Sequence, residues 1–101
     1  MSRFLNSAQI STFQKNVTTS GTPVQLDALT FPEGATLTVK AKNGNTGSIT
    51  VGGTSAQSLN SGTSFFRLLP NQSITVQVTD ASAVWIDATV SGEGVEGVVE
   101  Y

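Results

Sequence analysis

Residues 35–42 read Ala35-Thr36-Leu37-Thr38-Val39-Lys40-Ala41-Lys42, so that every second side chain is apolar and the others are polar. Successive side chains of a β-strand point to opposite faces, and this alternation therefore predicts a strand with one buried and one solvated face. The same period of two recurs at 72–79 and 83–90, and in a shorter form at 48–52. No segment repeats apolar residues at the helical period over a helical length, so the chain is predicted to be all-β.

Turn-forming residues divide the sequence at intervals of about 9 to 12 residues, the spacing of a β-sandwich or barrel. We predict a single small antiparallel β-sandwich, jelly-roll or immunoglobulin-like, of about seven to eight strands. Asn43-Gly44 can supply the positive φ of a tight hairpin, which favours pairing of the strands on either side. Pro70-Asn71 is predicted to join its two flanking strands in the same way. The predicted strands are 12–19, 23–29, 35–42, 48–52, 63–69, 72–79 and 83–90.

The two ends of the 101-residue chain differ from its middle. Residues 1–11 show no clear periodicity and are interpreted as an N-terminal arm, with the sandwich domain at 12–90. Residues 91–101 combine glycines and glutamates with β-prone valines, and they are expected to form either a C-terminal strand of this domain or an arm that adds to a neighbouring subunit. The carboxylates of Glu93 and Glu96 are expected on a loose, solvated tail.

The amino-acid composition argues against enzymatic catalysis. The sequence has no Cys and no His, which excludes a disulfide framework, a thiol nucleophile and the usual acid or base near neutral pH. Asp80 and Asp87 are expected at a turn and on a polar strand face, without a partner for catalysis. We therefore predict no enzymatic activity, no cofactor and no metal site. The net charge of −2 argues against nucleic-acid binding, and no apolar run approaches the roughly 18 residues of a membrane span.

Aromatic and aliphatic residues offer candidate interfaces instead. In Phe65-Phe66-Arg67-Leu68-Leu69, apolar side chains fall on both faces of a strand, so that the strand either lies between two covered layers or presents Phe66 or Leu69 outward. Trp85 shares a face with Asp87 and is either an exposed interface residue or is covered by the loop at 53–62. The candidate protein-interface residues are Phe4, Leu5, Phe66, Leu69, Trp85, Val98 and Tyr101.

Three stretches of the sequence resemble conserved motifs of a known group of proteins. They are Asn-Thr-Gly-Ser-Ile-Thr-Val-Gly-Gly at 45–53, Phe-Arg-Leu-Leu-Pro-Asn-Gln-Ser-Ile-Thr-Val at 66–76, and Val-Trp-Ile-Asp-Ala-Thr-Val-Ser-Gly-Glu-Gly-Val at 84–95. They resemble the N-x-G-x-I-Y-V-G-G, L-x-P-G-E-S and I-Y-V-D-A-x-V-x-G-x-G-V patterns of small β-sandwich virion proteins of tailed bacteriophages. Residues 17–26 fit the opening strand of that family. The sequence departs from the pattern at Asn71-Gln72, where Gly-Glu is usual, and at Trp85, where Tyr is common.

The resemblance implies a capsid decoration (cement) protein that is made in the host cytoplasm and binds the outer surface of the capsid in the virion. Its implied partners are the major capsid protein and further copies of itself in a homo-oligomer, with a trimer favoured. A tail or head-fibre structural module is the alternative within the virion. A carbohydrate-binding module for host adsorption is the alternative from another class, although such modules usually have several aromatic residues in one groove.

Overall fold

The computed structural model describes residues 9–101, which form eight strands in two four-stranded antiparallel sheets. The prediction of an all-β sandwich is thereby confirmed. One sheet has the strand order β1-β8-β3-β6, and the other has the order β2-β7-β4-β5. The elements are β1 (Ile10–Asn16), β2 (Val24–Gln25), β3 (Thr36–Ala41), β4 (Ile49–Gly52), α1 (Ser55–Ser58), β5 (Phe66–Leu68), β6 (Ser73–Val76), a 3₁₀ turn (Ala81–Ala83), β7 (Trp85–Ala88) and β8 (Gly94–Glu100).

The pairing of the strands is that of a folded ribbon. β1 pairs with β8, β2 with β7, β3 with β6 and β4 with β5, so the first half of the chain runs antiparallel to the second half. The ribbon then folds on itself, and this brings β3 beside β8 in one sheet and β4 beside β7 in the other. Two packed sheets connected in this way make a jelly roll, one of the two architectures that the sequence left open.

The core lies between the two sheets and consists of the side chains that alternate inward. On β3, Leu37, Val39 and Ala41 are fully buried, and they lie beside Val99, Gly97 and Val95 of β8. From the other sheet, Ile49 of β4, Leu68 of β5 and Ile86 of β7 complete this layer. Burying an aliphatic side chain of this size contributes about 1.5–3 kcal/mol each. In the alternating sequence at 35–42, the apolar side chains therefore form the inner face of β3 and the polar side chains form its outer face.

The predicted hairpin at Asn43-Gly44 is wrong. β3 and β4 lie in different sheets, and neither Asn43 nor Gly44 has a positive φ. The residues form a turn in which the Asn45 N–H donates to the Lys42 carbonyl oxygen at 3.1 Å. In this ribbon the chain crosses from one sheet to the other between most consecutive strands, so a turn of this kind redirects the chain rather than pairing its flanks.

The same correction applies at Pro70-Asn71, because β5 and β6 also belong to different sheets. The turn itself forms: the Gln72 N–H donates to the Leu69 carbonyl oxygen at 2.9 Å, and Asn71 has a φ of +71°. A positive φ at the third residue of a turn, directly after proline, is the pattern of a type II turn, which takes glycine or asparagine there. This explains why Asn71 can stand where the phage pattern that the sequence resembles has glycine.

The predicted strands all occur but are shorter in the structure, except at the two ends. β1 begins at Ile10 and so includes two residues that were assigned to the N-terminal arm. Residues 94–100 form β8, which lies between β1 and β3 in the middle of its sheet, and this is the strand alternative for the C-terminal segment. Phe4 and Leu5 lie outside the described residues.

Candidate interaction surface

An exposed apolar surface lies along β5, at the edge of its sheet. Phe66 is 55% exposed and Leu69 is 49% exposed. The only other large apolar side chains of residues 9–101 with comparable exposure are Ile10 and Val90, which belong to other parts of the fold. We call residues 65–70 the β5 edge patch.

The position of β5 explains the exposure of Phe66. Phe66 lies opposite Val51 and Leu68 lies opposite Ile49, so both side chains leave β5 on the side that faces the core. Leu68 is buried, whereas Phe66 reaches past the margin of the core because β5 has a strand neighbour on one side only. Of the two sequence alternatives for this strand, the structure has the one in which Phe66 or Leu69 is presented outward, and both side chains are exposed.

Arg67 adds a cation to the β5 edge patch. Its guanidinium carbon lies 5.0 Å from the centre of the Phe65 ring, within the range of a cation–π contact. Its Nη1 donates a hydrogen bond to the Ser48 hydroxyl at 3.0 Å, which ties the side chain to the loop before β4. Aromatic residues and arginine contribute strongly to the binding energy of protein interfaces. The patch therefore combines two exposed apolar side chains with an oriented positive charge.

The turn that follows β5 holds Leu69 in place. The Leu69 N–H donates to Oε1 of Gln72 at 2.9 Å. The Asn71 N–H donates to the Ala41 carbonyl oxygen at 3.0 Å, and the Ala41 N–H donates to the Gln72 carbonyl oxygen at 2.9 Å. The turn is thus bonded to the end of β3 in the opposite sheet. A side chain on such a rigid support loses little conformational entropy on binding.

Trp85 is half-buried and does not belong to the β5 edge patch. It lies beside Gly52 on the outer face of its sheet, and α1 packs on this face against β4 and β7. A side chain at Gly52 would begin 2.6 Å from the carbonyl carbon of Gln57, so the backbone of α1 sits directly on this glycine. The loop at 53–62 therefore covers this part of the sheet. This agrees with the alternative prediction that the loop, rather than a binding partner, covers the face that carries Trp85.

Val98 and Tyr101 lie apart from the patch as well. Val98 is on the outer face of the opposite sheet, between Thr12 of β1 and Thr38 of β3. Tyr101 is partly buried against the core, and its hydroxyl lies 3.4 Å from the Ser11 hydroxyl. Of the predicted interface residues that the structure describes, only Phe66 and Leu69 are exposed, and both belong to the β5 edge patch.

A shallow depression of about 660 Å³ lies on the outer face that carries Val98. Its lining includes Thr38, Ser73, Lys40 and Glu96. The Lys40 ammonium lies 3.4 Å from the Glu96 carboxylate, so these two charges largely neutralise each other across the depression. The lining also includes Phe13 and Val98, so this face presents mixed polar and apolar groups without a concentrated charge.

Asp87 was expected on a solvated strand face, but it is fully buried. Its Oδ1 accepts hydrogen bonds from the N–H groups of Gly21 at 3.1 Å and Ala88 at 2.8 Å, and its Oδ2 accepts one from the N–H of Asn60 at 2.9 Å. The carboxylate thereby holds the β1–β2 turn and the loop after α1 against β7. No feature of the sequence distinguishes Asp87 from a surface aspartate.

Glu93 was expected on a loose tail, and that expectation is wrong. Its Oε2 accepts hydrogen bonds from the N–H of Thr46 at 2.7 Å and from its hydroxyl at 2.8 Å, and its Oε1 accepts one from the N–H of Gly47 at 2.9 Å. These bonds favour the charged form, and the pKa of Glu93 is lowered, first by the Thr46 N–H and then by the Gly47 N–H. Glu93 thus joins the turn before β8 to the loop before β4.

Asn45 completes this contact. Its Nδ2 donates to the Gly94 carbonyl oxygen at 2.9 Å. Asn45 and Gly47 come from the first of the three stretches that carry the phage resemblance, and Glu93 and Gly94 come from the third. The motif residues therefore meet in space, and the structure gives them a role in joining loops.

The lowered pKa of Glu93 makes a prediction about acid stability. A carboxylate with a folded pKa below its unfolded value of about 4.5 stabilises the fold above that value, and its contribution is lost as the pH falls through the folded pKa. We expect Glu93→Gln to lower the free energy of unfolding at neutral pH and to weaken its fall on acidification, as measured by urea unfolding at a series of pH values. Glu33→Gln, at an exposed turn residue, should keep wild-type stability at neutral pH. An unchanged pH dependence in Glu93→Gln would contradict this role.

Two further properties of residues 9–101 bear on function. No group of three or more acidic side chains in this range is arranged to hold a metal ion. In the same range, no helix has both the length and the apolar character needed to cross a membrane. Comparisons with protein-family models, with curated proteins and with solved structures find no match to the chain.

Proposed function

We propose that this chain is a non-enzymatic structural protein of a tailed-phage virion, a capsid decoration protein that binds the outer surface of the head through the β5 edge patch. The observation that carries the proposal is the exposure of Phe66 and Leu69 on a rigid sheet edge. The jelly roll also supports it, since this fold is common in viral capsid domains, although a fold alone does not determine a function. The resemblance of the motif stretches to phage sandwich proteins points to the same class.

The chemistry of the β5 edge patch suits a shell-binding role. Covering Phe66 and Leu69 with a partner would remove apolar surface from water at about 1.5–3 kcal/mol for each side chain that becomes fully buried. Arg67 would face an acidic or carbonyl-rich surface of the partner, the major capsid protein. A protein that binds only the assembled shell stabilises that state by mass action. Self-association into a homo-oligomer, with a trimer favoured, would present several such patches to the shell at once.

The experiment compares two pairs of substitutions of exposed apolar residues. Phe66→Ser with Leu69→Ser removes the patch, whereas Ile10→Ser with Val90→Ser removes similar side chains elsewhere on the surface. Each purified variant is mixed with heads that lack the protein, and bound protein is measured by co-sedimentation. We expect the patch variant to bind about a hundredfold more weakly than wild type, and the matched control to bind normally.

Thermal unfolding should show that both variants remain folded, because the substituted side chains are exposed. Equal binding by the patch variant and wild type would refute the role of the patch. Absence of the protein from purified virions, tested by mass spectrometry, would refute the virion role itself. Density on the tail or on head fibres in electron cryomicroscopy would favour the alternative virion module, and hits on a glycan array would favour the carbohydrate-binding alternative.

A further inference from the structure

Asn43 differs from the other asparagines in the residue that follows it in the sequence. The chain has six asparagines, and Asn43 alone is followed by glycine. Asn43 and Gly44 are both exposed in the turn between β3 and β4. No atom lies within 4 Å of the place where a side chain would begin at Gly44, and no hydrogen bond from its N–H to any of residues 9–101 is present. The backbone nitrogen of Gly44 is therefore accessible and is not held by a hydrogen bond within these residues.

Such a dipeptide can deamidate without an enzyme. The Gly44 nitrogen, after losing its proton to base, attacks Cγ of Asn43, and the bond from Cγ to Nδ2 breaks, so that ammonia leaves and a five-membered succinimide forms. Water then adds to one of the two imide carbonyls. Opening at Cγ leaves an aspartate, and opening at the backbone carbonyl leaves an isoaspartate with one more methylene in the main chain. Either product replaces a neutral amide with a carboxylate.

Two asparagines lack an available nitrogen for the same attack. After Asn16, the N–H of Val17 donates to the Glu93 carbonyl oxygen at 2.8 Å. After Asn45, the N–H of Thr46 donates to Oε2 of Glu93 at 2.7 Å. Both following residues are also β-branched, which hinders closure of the ring. The fold therefore protects these two sites.

Two more asparagines are held in other ways. After Asn71, the N–H of Gln72 donates to the Leu69 carbonyl oxygen at 2.9 Å. At Asn60 the amide group that would leave is itself held, since its Nδ2 donates to the Ala88 carbonyl oxygen at 2.7 Å. Among residues 9–101, Asn43 thus combines a free attacking nitrogen with a side-chain amide group that makes no hydrogen bond through Nδ2.

A hydrogen bond also activates the carbon under attack. Nδ2 of Asn71 donates to Oδ1 of Asn43 at 2.7 Å. Negative charge develops on Oδ1 when the nitrogen adds to Cγ, and a donor already in place at that oxygen stabilises this charge. We propose that Asn43 is the site at which the folded protein deamidates spontaneously, and that Asn71 promotes the reaction through its hydrogen bond to Oδ1. The new carboxylate would lie next to the turn that carries Leu69.

The test follows the modification directly. Purified protein is incubated at mildly alkaline pH and digested, and each asparagine-containing peptide is followed by mass spectrometry for a gain of about 1 Da and for isoaspartate. We expect Asn43 to convert faster than the other asparagines of residues 9–101. Faster conversion at any of those asparagines would overturn the assignment of the site.

Two variants separate the parts of the mechanism. Gly44→Ala fits the open space and needs no positive φ, and it should slow conversion several-fold. Asn71→Gly keeps the positive φ of its turn but removes the donor, and it should also slow conversion at Asn43. In denaturant, wild type and Asn71→Gly should convert at the same rate. Equal rates for these two proteins in the folded state would overturn the role of Asn71.

Discussion

Replacing Asp87 by alanine is expected to lower the free energy of unfolding by about 3–5 kcal/mol, a large part of the roughly 5–15 kcal/mol that holds a domain of this size folded. The substitution leaves the N–H groups of Gly21, Ala88 and Asn60 without their acceptor in a buried place. Urea or thermal unfolding followed by circular dichroism measures the loss. Hydrogen exchange should show the first opening in the β1–β2 turn and in the loop after α1.

Two further substitutions test the cause. Asp87→Asn keeps one carbonyl oxygen as acceptor but turns an NH₂ group toward a donor, so about half of the loss is expected. Asp27→Ala removes an aspartate whose side chain is 79% exposed and pairs with Lys15 at 2.8 Å, and it should cost less than about 1 kcal/mol. A loss at Asp87 no larger than the loss at Asp27 would show that the buried carboxylate does not hold the loops.

Gly94→Ala is expected to destabilise the fold by about 3 kcal/mol or more. A side chain at this position would begin 2.0 Å from the Lys15 carbonyl oxygen and 2.6 Å from the Asn16 Cα, and these backbone atoms of β1 cannot turn away as a flexible side chain could. The start of β8 would have to separate from β1, and the hydrogen bond from Asn45 to the Gly94 carbonyl oxygen would be strained. The measurement is the midpoint of thermal unfolding.

Gly44→Ala is the matched control for this prediction. Gly44 has open space around it and a φ outside the left-handed region, so alanine fits there without strain. Because alanine restricts the unfolded chain more than glycine does, the control should be neutral or slightly stabilising. A Gly94→Ala protein as stable as the Gly44→Ala protein would mean that β1 and β8 can separate at this point at no cost.

The alternation of side chains was sufficient to predict the strands, because the period of two is a local property of a strand with one buried face. It could not predict which strands pair. Both Asn43-Gly44 and Pro70-Asn71 form turns, as their residue types predict. The strands on either side of each turn nevertheless enter different sheets, because the packing of the whole ribbon determines which strands pair. The residues near a turn do not indicate whether the chain continues in the same sheet or passes to the other one.

The interaction surface was predicted in part for a similar reason. Two apolar faces in Phe65–Leu69 signalled that some of these side chains must leave the core, and Phe66 and Leu69 do so. The surroundings of Trp85 and Asp87 depend on the 53–62 loop, which returns over the sheet after β4 and places α1 on Gly52. Such a cover is a tertiary contact between a polar loop and a distant strand, so the sequence near Asp87 gives no sign of it.

The folded ribbon also bears on how the chain reaches its native state. Ile10 pairs with Glu100, so the β1–β8 ladder joins the two ends of the described chain, whereas β4 and β5 are separated only by the loop that contains α1. Folding rates fall as contacting residues lie farther apart in sequence, because the entropy of closing the intervening loop is lost before the contact forms. We therefore expect the β4–β5 pair to form first and the other strand pairs to follow from it toward the termini. Until β8 pairs with β3, the side of β3 that β8 covers in the native sheet is an open edge, so we expect newly made chains to be most prone to aggregation in this late interval.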